Sequence, residues 1–329
     1  MKKNNPLQKE SGILLTGAAG FIGSCLLSYL NQKGFANIYL LDDFSHPEKK
    51  QNWAGKKYKQ LLNRSAYLAK ELPTDIELII HIGARTDTTL FDKKTFDNLN
   101  VDYSKFLWKQ AAEQNIPFIY ASSAATYGDG KLGFSDQMDI RPLQPLNPYG
   151  NSKQEFDLWA LEQDKAPANW YGLKFFNVYG PNEYHKGRMA SVIFHFYQQI
   201  QKEGKMRLFR SHHPEYKDGE QLRDFIYVMD VLEMIYFFMQ ERPPSGLYNI
   251  GTGTARTFLD LAHAVFSVLE KEPQIEFIDT PEDIRDKYQY FTEADMQKLN
   301  AVGYSSATFT LEEGVADYLK NYLSSRNYY

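Results

Sequence analysis

Apolar residues along the chain fall into two kinds of pattern, and the two alternate. Short unbroken runs, Ile13-Leu14-Leu15, Ile38-Tyr39-Leu40-Leu41, Leu78-Ile79-Ile80-His81-Ile82 and Pro117-Phe118-Ile119-Tyr120-Ala121, are bounded by polar or glycine residues. Each is too short for a helix and predicts a buried strand. Phe175-Phe176 with Val178 and Arg207-Leu208-Phe209-Arg210 predict further strands, while Asp224-Phe225-Ile226-Tyr227-Val228 and Leu247-Tyr248-Asn249-Ile250-Gly251 read as returns to the sheet-bearing part of the chain. Between them the spacing turns helical: Phe21, Ile22, Leu26, Leu27 and Leu30; then Phe96, Leu99, Tyr103, Phe106, Leu107, Trp108 and Ala111; then Phe156, Leu158, Trp159 and Leu161; then 190–202. Strands alternating with helices predict an α/β fold whose parallel sheet is wound in right-handed crossovers. Residues 44–64, polar and lysine-rich, read as a solvated helix and loop.

The first strand runs directly into Gly17-Ala18-Ala19-Gly20-Phe21-Ile22-Gly23, three glycines spaced Gly-x-x-Gly-x-x-Gly at the start of a helix. Glycine is wanted there because a side chain would block both the turn and the approach of main chain to a pyrophosphate, whose charge then faces helix N–H groups. An ordinary glycine-rich turn is the alternative, but the second strand ends in Asp42-Asp43, where a ribose-binding carboxylate belongs. The fold class expected is a Rossmann-type doubly wound sheet with a smaller α/β substrate lobe. Its dinucleotide-binding part takes 13–176 and 224–252, and the lobe takes mainly 177–223 and 253–329. Gly17, Gly20, Phe21, Ile22, Gly23, Asp42 and Asp43 are the expected cofactor contacts. Asp42 alone argues for NAD, whereas Lys49 offers a cation to the 2′-phosphate of NADP, so both cofactors stay open. Gly83 and Ala84 at a strand end let a cofactor lie close, Asn100 is a polar group on an apolar helix face that can reach the same place, and His81 reads as a structural histidine.

Pro117–Ala121 leads into Ser122-Ser123, and Pro148-Tyr149-Gly150-Asn151-Ser152-Lys153 then opens a helix. Tyrosine and lysine four apart share one helical face. An ammonium beside a phenol favours phenolate and lowers the tyrosine pKa from about 10. A tyrosine so tuned takes a proton from an alcohol as hydride leaves the same carbon. A surface helix pair is the plain alternative; the glycine turn and a strand-end Ser123 weigh against it.

Bulk properties narrow the field. A length of 329 residues suffices for one large core with an appended lobe, and a formal charge of −4 gives no basic surplus for nucleic acid. The single cysteine, Cys25, excludes an intramolecular disulfide framework and suits a reducing cytoplasm. Residues 1–12 are polar and read as a disordered leader without a signal peptide's apolar core. No run approaches the roughly 20 apolar residues that span a bilayer, so a cytoplasmic protein without a membrane partner is expected. His212 and His213 lack further ligands for a metal.

Together these residues resemble the extended short-chain dehydrogenase/reductase family of nucleotide-sugar enzymes. Tyr120-Ala-Ser-Ser-Ala-Ala-Thr-Tyr-Gly128, Phe176-Asn-Val-Tyr-Gly-Pro181 with His185-Lys186-Gly187, Met189-Ala-Ser-Val192 and 288–295 are similar to the branch that epimerises a nucleotide-linked heptose. The resemblance implies catalysis by Ser123, Tyr149 and Lys153, with the last two also touching NADP. Lys186 becomes a second acid/base opposite Tyr149. It implies substrate contacts from Ser123, Asn177, Val178, Lys186, His195, Phe209, Arg223 and Tyr288, with Arg223 as a pyrophosphate clamp. A homo-oligomer, a pentamer in that branch, is implied as well. Three features depart from it: a longer 211–221 loop, Arg188 where a serine is expected, and Asp43 where an asparagine is usual. Arg188 either adds a phosphate contact or points outward. A dehydratase on this fold would want an acidic residue just after Ser123, and Ala124-Ala125-Thr126 supplies none. A non-catalytic dinucleotide sensor would not need Ser123, Tyr149, Lys153 and Lys186 together.

Overall fold

A computed structural model describes residues 7–67, 72–88, 90–285, 288–305 and 308–329. Its centre is a parallel sheet of seven strands: β1 (Gly12–Thr16), β2 (Ile38–Asp42), β3 (Gln60–Asn63), β4 (Ile76–His81), β5 (Phe118–Ser123), β6 (Trp170–Phe175) and, after shorter strands elsewhere, Gly246–Ile250. Across the sheet the order is Gly246–Ile250, β6, β5, β4, β1, β2, β3. The chain therefore works outward from β1 on one side and returns to β4 on the other, which places the switch in strand order between β1 and β4. Ligands of such sheets gather at the carboxyl ends of the strands flanking that switch.

Alternate residues of the strands feed two apolar layers. Ile13, Leu15, Leu40, Leu78, Ile80 and Leu173 face the layer that contains α1 (Phe21–Gln32). Leu14, Leu41, Ile79 and Phe118 face the layer containing α2 (Tyr103–Gln114) and α3 (Pro148–Leu161). In that second layer Trp108 is enclosed edge-on by Phe118, Tyr120, Phe156, Trp159 and Trp170.

Two expectations are corrected here. The stretch 44–64 is not only helix and loop: after a 3-10 turn at Pro47–Asn52 it forms β3, which pairs with β2 from Tyr39↔Gln60 to Asp42↔Asn63. No apolar pattern announces this edge strand because its residues are mostly exposed, and main-chain pairing rather than burial carries it. The expected leader stops short of residue 12, since Leu7 is buried and the buried Ser11 hydroxyl donates to Glu77 at 2.9 Å; residues 1–6 lie outside the described residues.

Among the described residues, three small strand pairs lie outside the sheet. They are β7 (Asn177–Tyr179) with β10 (Phe225–Tyr227), β8 (Met206–Phe209) with β13 (Ile275–Ile278), and β9 (Leu222–Arg223) with β12 (Arg256–Thr257), the sheet strand Gly246–Ile250 being β11 in this order. They are joined by α4 (Val192–Glu203), α5 (Val228–Glu241) and α6 (Phe258–Val268). Asp224 fastens this region to the sheet's carboxyl edge by accepting main-chain N–H bonds from Thr252, Gly253 and Ala294. Among the described residues no helix is long and apolar enough to cross a membrane.

Candidate active site

The turn after β1 is compact because it has no side chains to accommodate. Gly17 adopts φ +68, and a Cβ there would lie 2.6 Å from the main chain of Gly83, which follows β4. A Cβ on Gly23 would meet the Gly17 carbonyl oxygen at 2.2 Å, so α1 can start against the turn only with glycine at this place. The result is a crevice of about 410 Å³ at the β1/β4 switch, floored by Gly17, Gly20, Gly23 and Gly83 and walled by Phe21, Ile22 and Ala84. A cradle that any Cβ would fill, at the N-terminus of a helix, fits the pyrophosphate of a dinucleotide.

Asp42, Asp43 and Lys49 line this crevice. Asp42 also holds the turn itself, accepting from Ala19 N–H at 2.8 Å and Asp43 N–H at 2.7 Å. Asp43 is turned to Ser45, whose hydroxyl and N–H hold its carboxyl below the usual range. Arg64 and His46 join Lys49 in that lining, with Arg64 4.0 Å from Asp43. The sequence reading missed both; a basic residue on an edge strand's end is a signal visible only once β3 is known.

On the opposite side of the sheet switch stand the hydroxyl groups. Asn147 caps α3 by accepting from Gly150 N–H at 2.8 Å, and Pro148 opens its first turn. Tyr149 is thus held at the helix start, with Ser123 at the end of β5 beside its phenol. Lys153, buried one turn along, donates to the Ala121 carbonyl at 2.7 Å. The expected tuning of the phenol is corrected by this arrangement. Burial raises Tyr149 above its ordinary pKa against the opposing pull of Ser123, and burial pushes Lys153 down to about 8. Desolvation penalises both charged forms, and it outweighs the spacing argument that put an ammonium beside a phenolate.

Asn100 also has a different place from the one expected. It sits in a π-helical turn, Asp97–Asp102, and its amide is taken up by the protein: it accepts from Arg85 N–H and donates to the Arg85 carbonyl and to Ser152 Oγ at 2.9 Å. It ties the loop after β4 to α3, fixing the crevice rather than lining it. His81 is structural, bonded to Thr16 at 2.6 Å and Ser104 at 2.8 Å, with burial pushing it down to about 3.

Behind Tyr149 and Lys153 lies a group the sequence reading missed. Asp157 and Lys174, both fully buried, pair at 2.7 Å; Tyr120 and Ser122 also donate to Asp157, and Lys174 donates to Thr126. Removing one partner of such a pair leaves an uncompensated charge at a cost of about 3–5 kcal/mol.

Lys186 enters the glycine-floored crevice from the other lobe, on the turn Tyr184–Met189, with its ammonium 5.4 Å from the centre of the Phe21 ring. Burial lowers its pKa, opposed by Glu183. Arg188 and Asn177 are exposed, Val178 and His195 half-buried. Phe209, Arg223 and Tyr288 do come together: the Arg223 guanidinium lies 5.3 Å from the Tyr288 ring and 5.7 Å from Phe258, and Phe209 meets Tyr288 edge-on at 6.2 Å. The long 211–221 loop packs beside them, with His213 and Tyr216 against Tyr290.

A Rossmann-type sheet with a glycine cradle at its switch point defines the class of dinucleotide-binding α/β folds. Residues 13–251 match the model of the NAD dependent epimerase/dehydratase family, and the chain belongs to that family. It is 46% identical over 330 residues to ADP-L-glycero-D-manno-heptose-6-epimerase of Fusobacterium nucleatum, covering 96% of this chain and 99% of that protein. It is 47% identical over 317 residues to the protein of that name from Nitratidesulfovibrio vulgaris, with 95% and 98% covered. The crystal structure of Helicobacter pylori ADP-L-glycero-D-manno-heptose-6-epimerase superposes with a TM-score of 0.78 at 26% identity, covering 95% of this chain and 97% of that one. UDP-N-acetylglucosamine 4-epimerase of Methanobrevibacter ruminantium, TM-score 0.80 at 22% identity with 97% and 100% covered, shares the fold.

Proposed function

We propose that this chain interconverts ADP-D-glycero-D-manno-heptose and ADP-L-glycero-D-manno-heptose by transient oxidation at C6, a step of lipopolysaccharide inner-core synthesis. The observation that carries the reading is the entry of Lys186 into the glycine-floored crevice at the carboxyl end of the sheet. The names carried by relatives at 46% and 47% identity support the choice of sugar.

A nicotinamide dinucleotide held by Gly17, Gly20, Gly23, Gly83 and Asp42 supplies, when bound, a hydride acceptor that gives the hydride back in the same turnover. The protein's own share is proton traffic and orientation. One group takes the proton of the C6 hydroxyl as the C–H bond gives up hydride, leaving a planar ketone. After the sugar reorients, hydride returns to the other face and a second group protonates the oxygen, so there is no net oxidation. The two epimers present that oxygen in different places, which is why two proton carriers serve better than one. Tyr149, its pKa raised, holds a proton to give; Lys186, its pKa lowered, is moved in the direction a proton exchanger near neutral pH requires. Arg223, braced between Tyr288 and Phe258, offers a planar fork to the diphosphate.

NADP is the cofactor we assign, because Lys49 and Arg64 bring positive charge to the crevice beside Asp42 and Asp43. The chain works in the cytoplasm as a homo-oligomer on this reading. The test is a panel of nucleotide sugars: the protein as purified should carry nicotinamide dinucleotide and convert the ADP-heptose without net reduction. Turnover of a UDP- or dTDP-hexose instead would transfer the reaction to a 4-epimerase or dehydratase. A nucleotide-free protein inert to every sugar would leave a regulator.

A further inference from the structure

Three consecutive residues just ahead of Lys186 are each fastened to the same distant stretch. Asn182, fully buried with φ +71, accepts from Tyr329 N–H at 2.9 Å and donates to the Tyr329 carbonyl at 3.2 Å and to Ser24 of α1 at 3.0 Å. Glu183, also fully buried, accepts from the Ser191 hydroxyl at 2.6 Å, from Ser191 N–H, and from the Tyr318 hydroxyl at 3.0 Å. Tyr184 donates to the Asn327 carbonyl at 2.7 Å, and its ring meets Tyr328 edge-on at 5.0 Å. Segment 318–329 therefore forms a strap behind the turn that carries Lys186, and Glu183 is the carboxyl group in that contact, its pKa raised by burial against the opposing pull of Lys186, Ser191 and Tyr318. Its three donors fix it in place, which an ordinary loop carboxylate would not need.

We propose that Glu183 is a positioning residue for Lys186: anchored by Ser191 and by Tyr318 of the strap, it holds the turn Tyr184–Met189 so that the Lys186 side chain stays in the crevice against Phe21, and it provides the counter-charge on that turn. The proposal rests on the reading of Lys186 as an acid/base group. Titratable groups facing Glu183 are Lys186 and Tyr184 on its own turn, Tyr318 on the strap and Cys25 on α1. Of these Lys186 is the cation and feels Glu183 in return, while neighbouring His185 faces Lys186, Lys49 and Glu48.

The experiment uses the full chain with Glu183→Gln, which keeps an acceptor for Ser191 and Tyr318 while removing the charge, and Tyr318→Phe, which keeps the charge and loosens its anchor. Two readouts are taken: kcat and KM against pH, and the pH midpoint for acylation of Lys186 by acetic anhydride, measured by mass spectrometry without turnover. Glu183→Gln should lower kcat roughly ten- to a hundredfold at little-changed KM and move the labelling midpoint to lower pH, because a neighbouring negative charge has been lost. Tyr318→Phe should change both in the same direction and by less. A Glu183→Gln protein with the parental midpoint and kcat overturns the proposal, as does one that loses only thermal stability. Should Glu183→Gln fail to fold, an unmoved midpoint and kcat in Tyr318→Phe overturn it equally. Full turnover in Lys186→Met would instead overturn the acid/base reading, leaving the labelling midpoint as the test of the Glu183–Lys186 link.

Discussion

On one wall of the crevice, Gly17, Gly20 and Gly23 present bare main chain, and the contacts that shape the turn come from neighbouring strand ends, Gly83 after β4 and Asp42 at the end of β2, which accepts from Ala19 N–H. On the other wall, Lys186 rides on a turn whose anchors are side-chain bonds spanning long stretches of chain: 147 positions from Asn182 to Tyr329, 135 from Glu183 to Tyr318 and 143 from Tyr184 to Asn327. The first wall is made by leaving atoms out, so it tolerates nothing added. The second is made by buried polar groups satisfying one another, so it tolerates nothing removed.

The sharpest way to strain that contrast is to disable each proposed proton carrier in turn, Lys186 in the crevice and Tyr149 at the start of α3. Tyr149→Phe and Lys186→Met should each cut kcat about 10²–10⁴-fold with substrate affinity largely kept, as read from steady-state rates and calorimetric binding. An unaffected rate in either variant removes that residue from the chemistry. Next in size is Gly17→Ala, which asks for a Cβ 2.6 Å from Gly83 at positive φ. Dinucleotide binding should be lost in fluorescence titration, with a stability cost on the order of 1–2 kcal/mol; retained binding would mean the cradle can open.

Acid should find out a buried neutral group beside the first wall. His81 stands at about 3 in the folded chain against an ordinary 6.5. The unfolded chain therefore binds the extra proton between those values, and the stability this residue contributes is present above about pH 6.5 and lost as pH falls towards 3. His81→Asn, which can still bond Thr16 or Ser104, should flatten the fall of melting temperature on that side; an unchanged slope would assign acid loss to other groups. The smallest effect expected is among the crevice's cations. Lys49→Ala with Arg64→Ala should weaken NADP about tenfold or more while sparing NAD, since a 2′-phosphate loses its cations and a free hydroxyl does not. Equal weakening of both dinucleotides would remove the case for NADP.

The amino-acid pattern by itself determined what rests on local rules. Strand and helix alternation and the glycine turn were legible because burial and main-chain geometry impose them within a few residues. Strand β3 was not, because an exposed edge strand has no apolar signature. The raised Tyr149 and lowered Lys153 were not, because desolvation depends on everything packed around a group and spacing along one helix cannot report it. Nor could the pattern show that Asn100 would spend its amide on Arg85 and Ser152, that Asp157 would meet Lys174, or that Glu183 would be enclosed by Ser191 and Tyr318. Those are partnerships between polar side chains far apart in sequence, and a polar residue carries no mark of which distant neighbour will satisfy it. Only the folded chain, by removing water from both, makes them partners.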